Sequence, residues 1–128
     1  MRFHHANLGV PVGGIEAQAR FLTDVLGYRA VAVDEAMTAR GVHWFEADDG
    51  TQIHLSEDPA HVPAARAHVA VDVGDDLDGL AARLSAASLA FTDSAGLGAR
   101  VLNCQDPSGN RWELRGTQGR AEEPTAER

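Results

Sequence analysis

Four side chains in this sequence have the types and placement to hold one cation together: His5, His54, His68 and Glu113. Three imidazoles and one carboxylate suit a borderline divalent metal such as zinc, nickel, iron(II) or manganese. Neutral imidazole is a good donor near pH 7, and the carboxylate lowers the net charge of the site. Such a cation is a Lewis acid, and Glu113 could also help to move a proton. The remaining histidines are less telling. His43 stands beside Trp44 as a candidate pocket residue, His4 precedes the first strand, and His61 sits in a connector as a solvated side chain.

These four residues need rigid elements to bring them together, and the apolar patterning supplies them. His5-Ala-Asn-Leu-Gly-Val10 alternates as a half-buried strand, and Ile15, Ala19, Leu22 and Leu26 then recur at helical spacing up to Gly27. Strand-like pieces follow at 28–33, 41–47 and 51–55, the last two joined by a turn at Asp48-Asp49-Gly50. After a Pro- and Ala-rich connector the order begins again. His68-Val-Ala-Val-Asp-Val73 alternates, and Asp75 or Asp76 caps a helix whose stripe is Leu77, Leu80, Ala81 and Leu84. Strand-like pieces return near 89–93, 99–105 and 110–115, with turn chemistry at Asp106-Pro-Ser-Gly-Asn110 and a hairpin loop at Gly96-Leu-Gly98. The chain therefore reads as βαβββ written twice: an α+β domain over 1–116, with modules at about 1–58 and 66–116 and a connector at 59–65. Residues 117–128 are polar and charged, the composition of a disordered tail.

Alternation then assigns faces. The aliphatic residues of each opening strand must cover its helix, which leaves His5 and His68 on the other side. Ile53 and Leu55 go with the helix and leave Gln52 and His54 opposite; Trp112 and Leu114 do the same and leave Arg111, Glu113 and Arg115. Arg111 and Asn103, with His43, are the candidate substrate-pocket residues. Cys104 reads as a small buried apolar residue.

Composition excludes several partners. The chain has 11 basic and 19 acidic residues, a net charge of −8, and only 5% aromatics. A phosphate backbone is repelled by that balance and finds no stacking platform, so nucleic acid is not expected. No apolar run reaches membrane-spanning length, no signal-peptide core follows Met1, and one cysteine forms no internal disulfide. A cytoplasmic protein without a membrane partner is the expectation.

The residues that open and close the two modules resemble a known family. His5, the helix ending Val25-Leu26-Gly27-Tyr28, His68-Val-Ala-Val and Asp106-Pro-Ser-Gly-Asn-Arg-Trp-Glu113-Leu stand in the register of the vicinal oxygen chelate superfamily, the glyoxalase/bleomycin-resistance/extradiol-dioxygenase group. The resemblance covers about residues 3–116. It implies paired βαβββ modules forming a U-shaped, open mixed sheet around a central pocket, with helices on the outer face, and it implies a homodimer. A glyoxalase-like lyase or isomerase binding vicinal oxygens through the metal is the leading implication, although that branch carries a carboxylate where this chain has His54. Extradiol dioxygenases use iron(II) at positions matching His5, His68 and Glu113. Fosfomycin-modifying relatives share that set, but the chain after Gly116 has no match to their phosphonate-gripping residues. Bleomycin-resistance relatives bind drugs as dimers without chemistry.

Overall fold

The computed structural model describes residues 1–95 and 99–116, so the expected Gly96–Gly98 hairpin loop and the 117–128 tail lie outside the described residues. The chain forms two compact units: Met1–Pro63 with Asp106–Asn110, and Ala64–Gln105 with the segment from Arg111 onward. Each unit is built on a four-stranded mixed sheet, as the repeated βαβββ order requires.

In the first unit, β1 (His5–Val10), β2 (Arg29–Val31), β3 (Val42–Glu46) and β4 (Gln52–Glu57) are arranged in the order β1-β4-β3-β2. β1 runs parallel to β4, while β3 is antiparallel to both of its neighbours. The parallel pairing needs a crossover, which α1 (Ile15–Arg20) and a following π-helical turn (Phe21–Val25) provide. Phe21, Leu22 and Val25 are buried together with Val10, Phe45, Ile53 and Leu55. These apolar residues make the core of the unit.

The regular helix expected up to Gly27 widens after Arg20. The Leu26 amide donates to the Phe21 carbonyl, a five-residue step, and the Thr23 hydroxyl donates to the Ala19 carbonyl at 3.1 Å. A side-chain hydroxyl competing for a helix carbonyl favours such a local adjustment. Gly27 does end the helix. At φ +82° it reverses the chain so that the Tyr28 amide reaches back to the Leu22 carbonyl, a six-residue closure that favours glycine.

A second short helix, α2 (Glu35–Ala39), lies between β2 and β3, where alternation gave no helical stripe. Its signal is local: the Asp34 carboxylate caps it by accepting from the Met37 amide at 2.8 Å. The Asp48-Asp49-Gly50 turn joins β3 and β4 as expected, with the Ala47 amide on the Thr51 carbonyl and the Gly50 amide on the Ala47 carbonyl.

In the second unit, β5 (His68–Gly74), β6 (Phe91–Ser94), β7 (Val101–Gln105) and β8 (Arg111–Gly116) are ordered β5-β8-β7-β6, again with a parallel inner pair. The crossover is α3 (Leu77–Ala86), whose Leu77, Leu80 and Leu84 are buried with Leu102, Cys104, Trp112 and Leu114. Asp76 occupies the N-cap position without a side-chain cap; its carboxylate meets Arg83 at 3.3 Å instead.

The 106–110 turn is held by the first unit. Asp106 Oδ1 accepts from the Ser108 and Asn110 amides, and Oδ2 accepts from Gln18 Nε2 on α1 at 2.6 Å. Asn110 Nδ2 donates to the Gly9 carbonyl at 3.0 Å. His61, expected to be solvated, is half-buried and its Nε2 donates to the Ser108 carbonyl at 2.8 Å. Its ring lies over Gly9, where a Cβ would stand 2.9 Å from Nδ1. Among the described residues no helix is long and apolar enough to cross a membrane.

Candidate metal centre

The first unit presents one polar sheet face. Register aligns His5 with Gln52 and Glu46 across β4, and Asn7 with His54 and Trp44, so these six share a side while Ile53, Leu55 and Phe45 take the other. His54 lies at the centre of this face. The His5 ring stacks on it at 3.9 Å between centroids and 16° between planes, and Trp44 stacks at 4.5 Å and 11°. One ring comes from each strand flanking β4, which is why an imidazole on a polar face is only 7% exposed.

That burial has an electrostatic consequence. Desolvation, reinforced by nearby His5 and His4, pushes the His54 imidazole down to about 4. An unfolded chain takes up that proton near 6.5. As pH falls, the unfolded state therefore binds the proton first, and stability drops between about 6.5 and 4 before levelling off. In urea titrations of metal-free protein, the wild-type midpoint should fall across this window more steeply than that of His54→Gln. Equal slopes for the two proteins would refute this assignment.

His54 is also hydrogen-bonded. Its Nε2 meets Gln52 Oε1 at 2.7 Å, and Gln52 Nε2 donates to Glu46 Oε1 at 3.1 Å. His4 and His5 approach through their Nδ1 atoms at 2.8 Å. The register separates His43, the candidate pocket residue of β3, from these groups. His43 aligns with Leu55 and so lies on the helix-packing side of the sheet. Trp44, one residue later, is the β3 side chain that shares the face of His54. Counting outward from the Asp48-Asp49-Gly50 turn was the available signal, since hairpin register places Trp44 opposite His54.

The second unit presents a matching face. His68 aligns with Arg111, Glu113 with Ala70 on one side and Asn103 on the other, and Arg115 with Asp72. Glu113, Arg111 and Asn103 thus share one side, with Trp112 and Leu114 buried on the other. His68 Nε2 lies 3.5 Å from Glu113 Oε1, and Arg115 Nη1 donates to Glu113 Oε2 at 3.3 Å. At the back of the His68 ring, Nδ1 donates to the Arg66 carbonyl at 3.0 Å. A carbonyl accepts only, so Nδ1 carries a hydrogen; a neutral ring then keeps its lone pair on Nε2, the atom facing Glu113.

These faces place two imidazoles in the first unit and an imidazole with a carboxylate in the second. Among the described residues, no group of three or more His, Cys, Asp or Glu side chains is gathered around a cation position. The chemistry of the donors fits a borderline divalent cation: His54 is held neutral, and His68 has its outer nitrogen anchored by a carbonyl.

Comparison with known proteins places these features in context. Residues 2–114 match the family described as Glyoxalase/Bleomycin resistance protein/Dioxygenase superfamily. No curated protein sequence matches the chain. A Bacillus anthracis protein assigned to the glyoxalase family is similar in structure, with 26% identity, a TM-score of 0.79, and coverage of 91% of this chain and 94% of that one. A glyoxalase/dioxygenase of Nostoc punctiforme shares the fold at 22% identity and a TM-score of 0.74, covering 90% of each chain. So does the fosfomycin resistance protein FosX of Listeria monocytogenes, solved with Mn(II) and a dihydroxypropylphosphonic acid, at 17% identity and a TM-score of 0.73 over 89% of this chain and 90% of that one.

Proposed function

The chain belongs to the Glyoxalase/Bleomycin resistance protein/Dioxygenase superfamily, and from that premise we propose that it is a divalent-metal enzyme of glyoxalase type. In this reading His5, His54, His68 and Glu113 are the metal ligands and the substrate is a small molecule with two neighbouring oxygens. One observation carries the reading. The Nδ1 hydrogen bond to Arg66 turns His68 Nε2 toward Glu113 Oε1 at 3.5 Å, so a neutral His68 ring offers its lone pair beside the carboxylate. Two electron-rich atoms facing each other are stabilised by a cation, and a metal ion satisfies both.

A divalent ion held there supplies Lewis acidity to the substrate oxygens. Glu113 is the chain's own proton carrier: Oε2 is held by Arg115, which leaves Oε1 as the oxygen beside His68. Arg111 and Asn103 share that face of the sheet, and in this reading they take a polar or anionic substituent of the substrate. The same reading has the protein acting as a cytoplasmic homodimer.

One observation favours a second reading, an iron(II) dioxygenase acting on a catechol-like ring. His54 is buried between two rings and hydrogen-bonded to Gln52, which suits a supporting role beside a three-ligand set of His5, His68 and Glu113.

Metal analysis of freshly purified, untagged protein separates these possibilities. Zinc, nickel or manganese near one per chain, with turnover of hemithioacetals or related α-hydroxycarbonyls, is the expected result. Iron with catechol-dependent oxygen uptake selects the second reading. Protein that takes up none of these metals, yet still binds small molecules, overturns both and leaves a non-catalytic binding module.

A further inference from the structure

Gln52 has two unlike ends, and the structure uses both. Its nitrogen faces the Glu46 carboxylate at 3.1 Å, an atom that only accepts. Its oxygen must therefore be the end that faces His54 Nε2 at 2.7 Å. An amide oxygen also only accepts, so His54 Nε2 is the nitrogen that carries the hydrogen. Reversing the amide would set oxygen against carboxylate and nitrogen against a ring nitrogen, losing the first bond outright. Glu46 is itself fixed: its Oε2 lies 3.5 Å from Arg29 Nη2, and Arg29 Nη1 donates to Asp48 at 2.7 Å. The polarity of the chain thus runs from an arginine cation to a carboxylate to an amide to an imidazole.

We infer that Gln52 is a positioning residue that locks His54 in the Nε2–H tautomer, so that Nδ1 is the lone-pair nitrogen His54 offers, the opposite choice from His68. Locking costs little because every member lies on the same face: Gln52 and Glu46 are register partners, and Gln52 and His54 are two apart on β4. The stacked rings of His5 and Trp44 hold the plane of the imidazole, and Gln52 fixes its proton. One ligand then resists rotation by packing and resists tautomer exchange by a hydrogen bond. The consequence for a bound cation, ligation through Nδ1 of His54 but Nε2 of His68, rests on the metal-centre reading above.

Imidazole-labelled protein tests the lock without any activity measurement. In two-dimensional 1H–15N spectra of the metal-free chain near neutral pH, His54 should show a proton-bearing Nε2 and a pyridine-type Nδ1. A proton-bearing Nδ1 overturns the proposal. Gln52→Leu, checked by circular dichroism for an intact fold, should turn the single tautomer into a mixture. The pair Gln52→Glu with Glu46→Gln reverses the donor order between the two side chains yet keeps an acceptor on His54, so it should restore one tautomer. An unchanged tautomer in Gln52→Leu, or no recovery in the pair, also overturns it. Titration with Zn2+ adds the last reading: the His54 Nδ1 signal should move on binding, and movement at Nε2 instead refutes the ligation order. If no zinc is bound at all, the metal-centre reading fails while the tautomer result in the metal-free protein still decides the lock.

Discussion

His68→Ala is expected to weaken divalent-metal binding by more than about 100-fold, because losses in the outer shell alone already cost 10–100-fold. The substitution removes a ring whose Nδ1 is anchored on Arg66 and whose Nε2 faces Glu113. His68 is an exposed residue, so little packing is lost, and thermal stability of the metal-free protein should change little. Metal content after dialysis and calorimetric titration with Zn2+ or Mn2+ measure the effect. His43→Ala is the informative comparison, since His43 lies on the helix-packing side of its sheet and should leave metal stoichiometry unchanged. Retained tight binding in His68→Ala would remove His68 from the ligand set and, with it, the observation on which the proposed function stands.

Asp106→Ala carries the largest expected stability effect, about 3 kcal/mol or more. Asp106 is 4% exposed and its carboxylate accepts from the Ser108 amide, the Asn110 amide and Gln18 Nε2. Truncation leaves three donors without it, one of them on Gln18, which is 0% exposed and whose Oε1 already has no partner. A loss of this size is a large fraction of the stability of an ordinary domain. Asp106→Asn should cost far less. The remaining oxygen still accepts from the turn amides, and Gln18 can reverse its amide so that its orphaned oxygen accepts from the new nitrogen. Chemical denaturation of the two variants checks this. Similar losses in both would mean that the negative charge, rather than the number of satisfied donors, holds the turn.

The two polar sheet faces on which the candidate residues stand were legible because the signals that carry them are local. Alternation along β1, β4, β5 and β8 needs only neighbouring residues, and it places Gln52 with His54 and Arg111 with Glu113 on the faces away from Ile53, Leu55, Trp112 and Leu114. Turn chemistry is equally local, so Asp48-Asp49-Gly50 and Asp106–Asn110 were readable from residue types. Two local features escaped through weak signals. The α2 helix rests on one capping aspartate over five residues, too short for an apolar stripe, and the π-helical turn rests on a threonine hydroxyl competing for one carbonyl.

What no pattern along the chain contained is the chemistry of individual atoms. His61 reads as a solvated connector residue until its ring is found on Gly9 with its nitrogen on the Ser108 carbonyl.

The amino-acid order thus determined the duplicated βαβββ plan, the division of each sheet into an apolar and a polar side, and the residue types available for chemistry, because 2.0- and 3.6-residue periodicities are properties of the chain itself. The tertiary structure decided that Gln18 meets Asp106 across 88 residues, that two rings bury His54, and which oxygens face His54 Nε2 and His68 Nδ1. Hydrogen-bond partnership and desolvation depend on atoms distant in sequence, and these set the charge and the lone pairs with which the site can act.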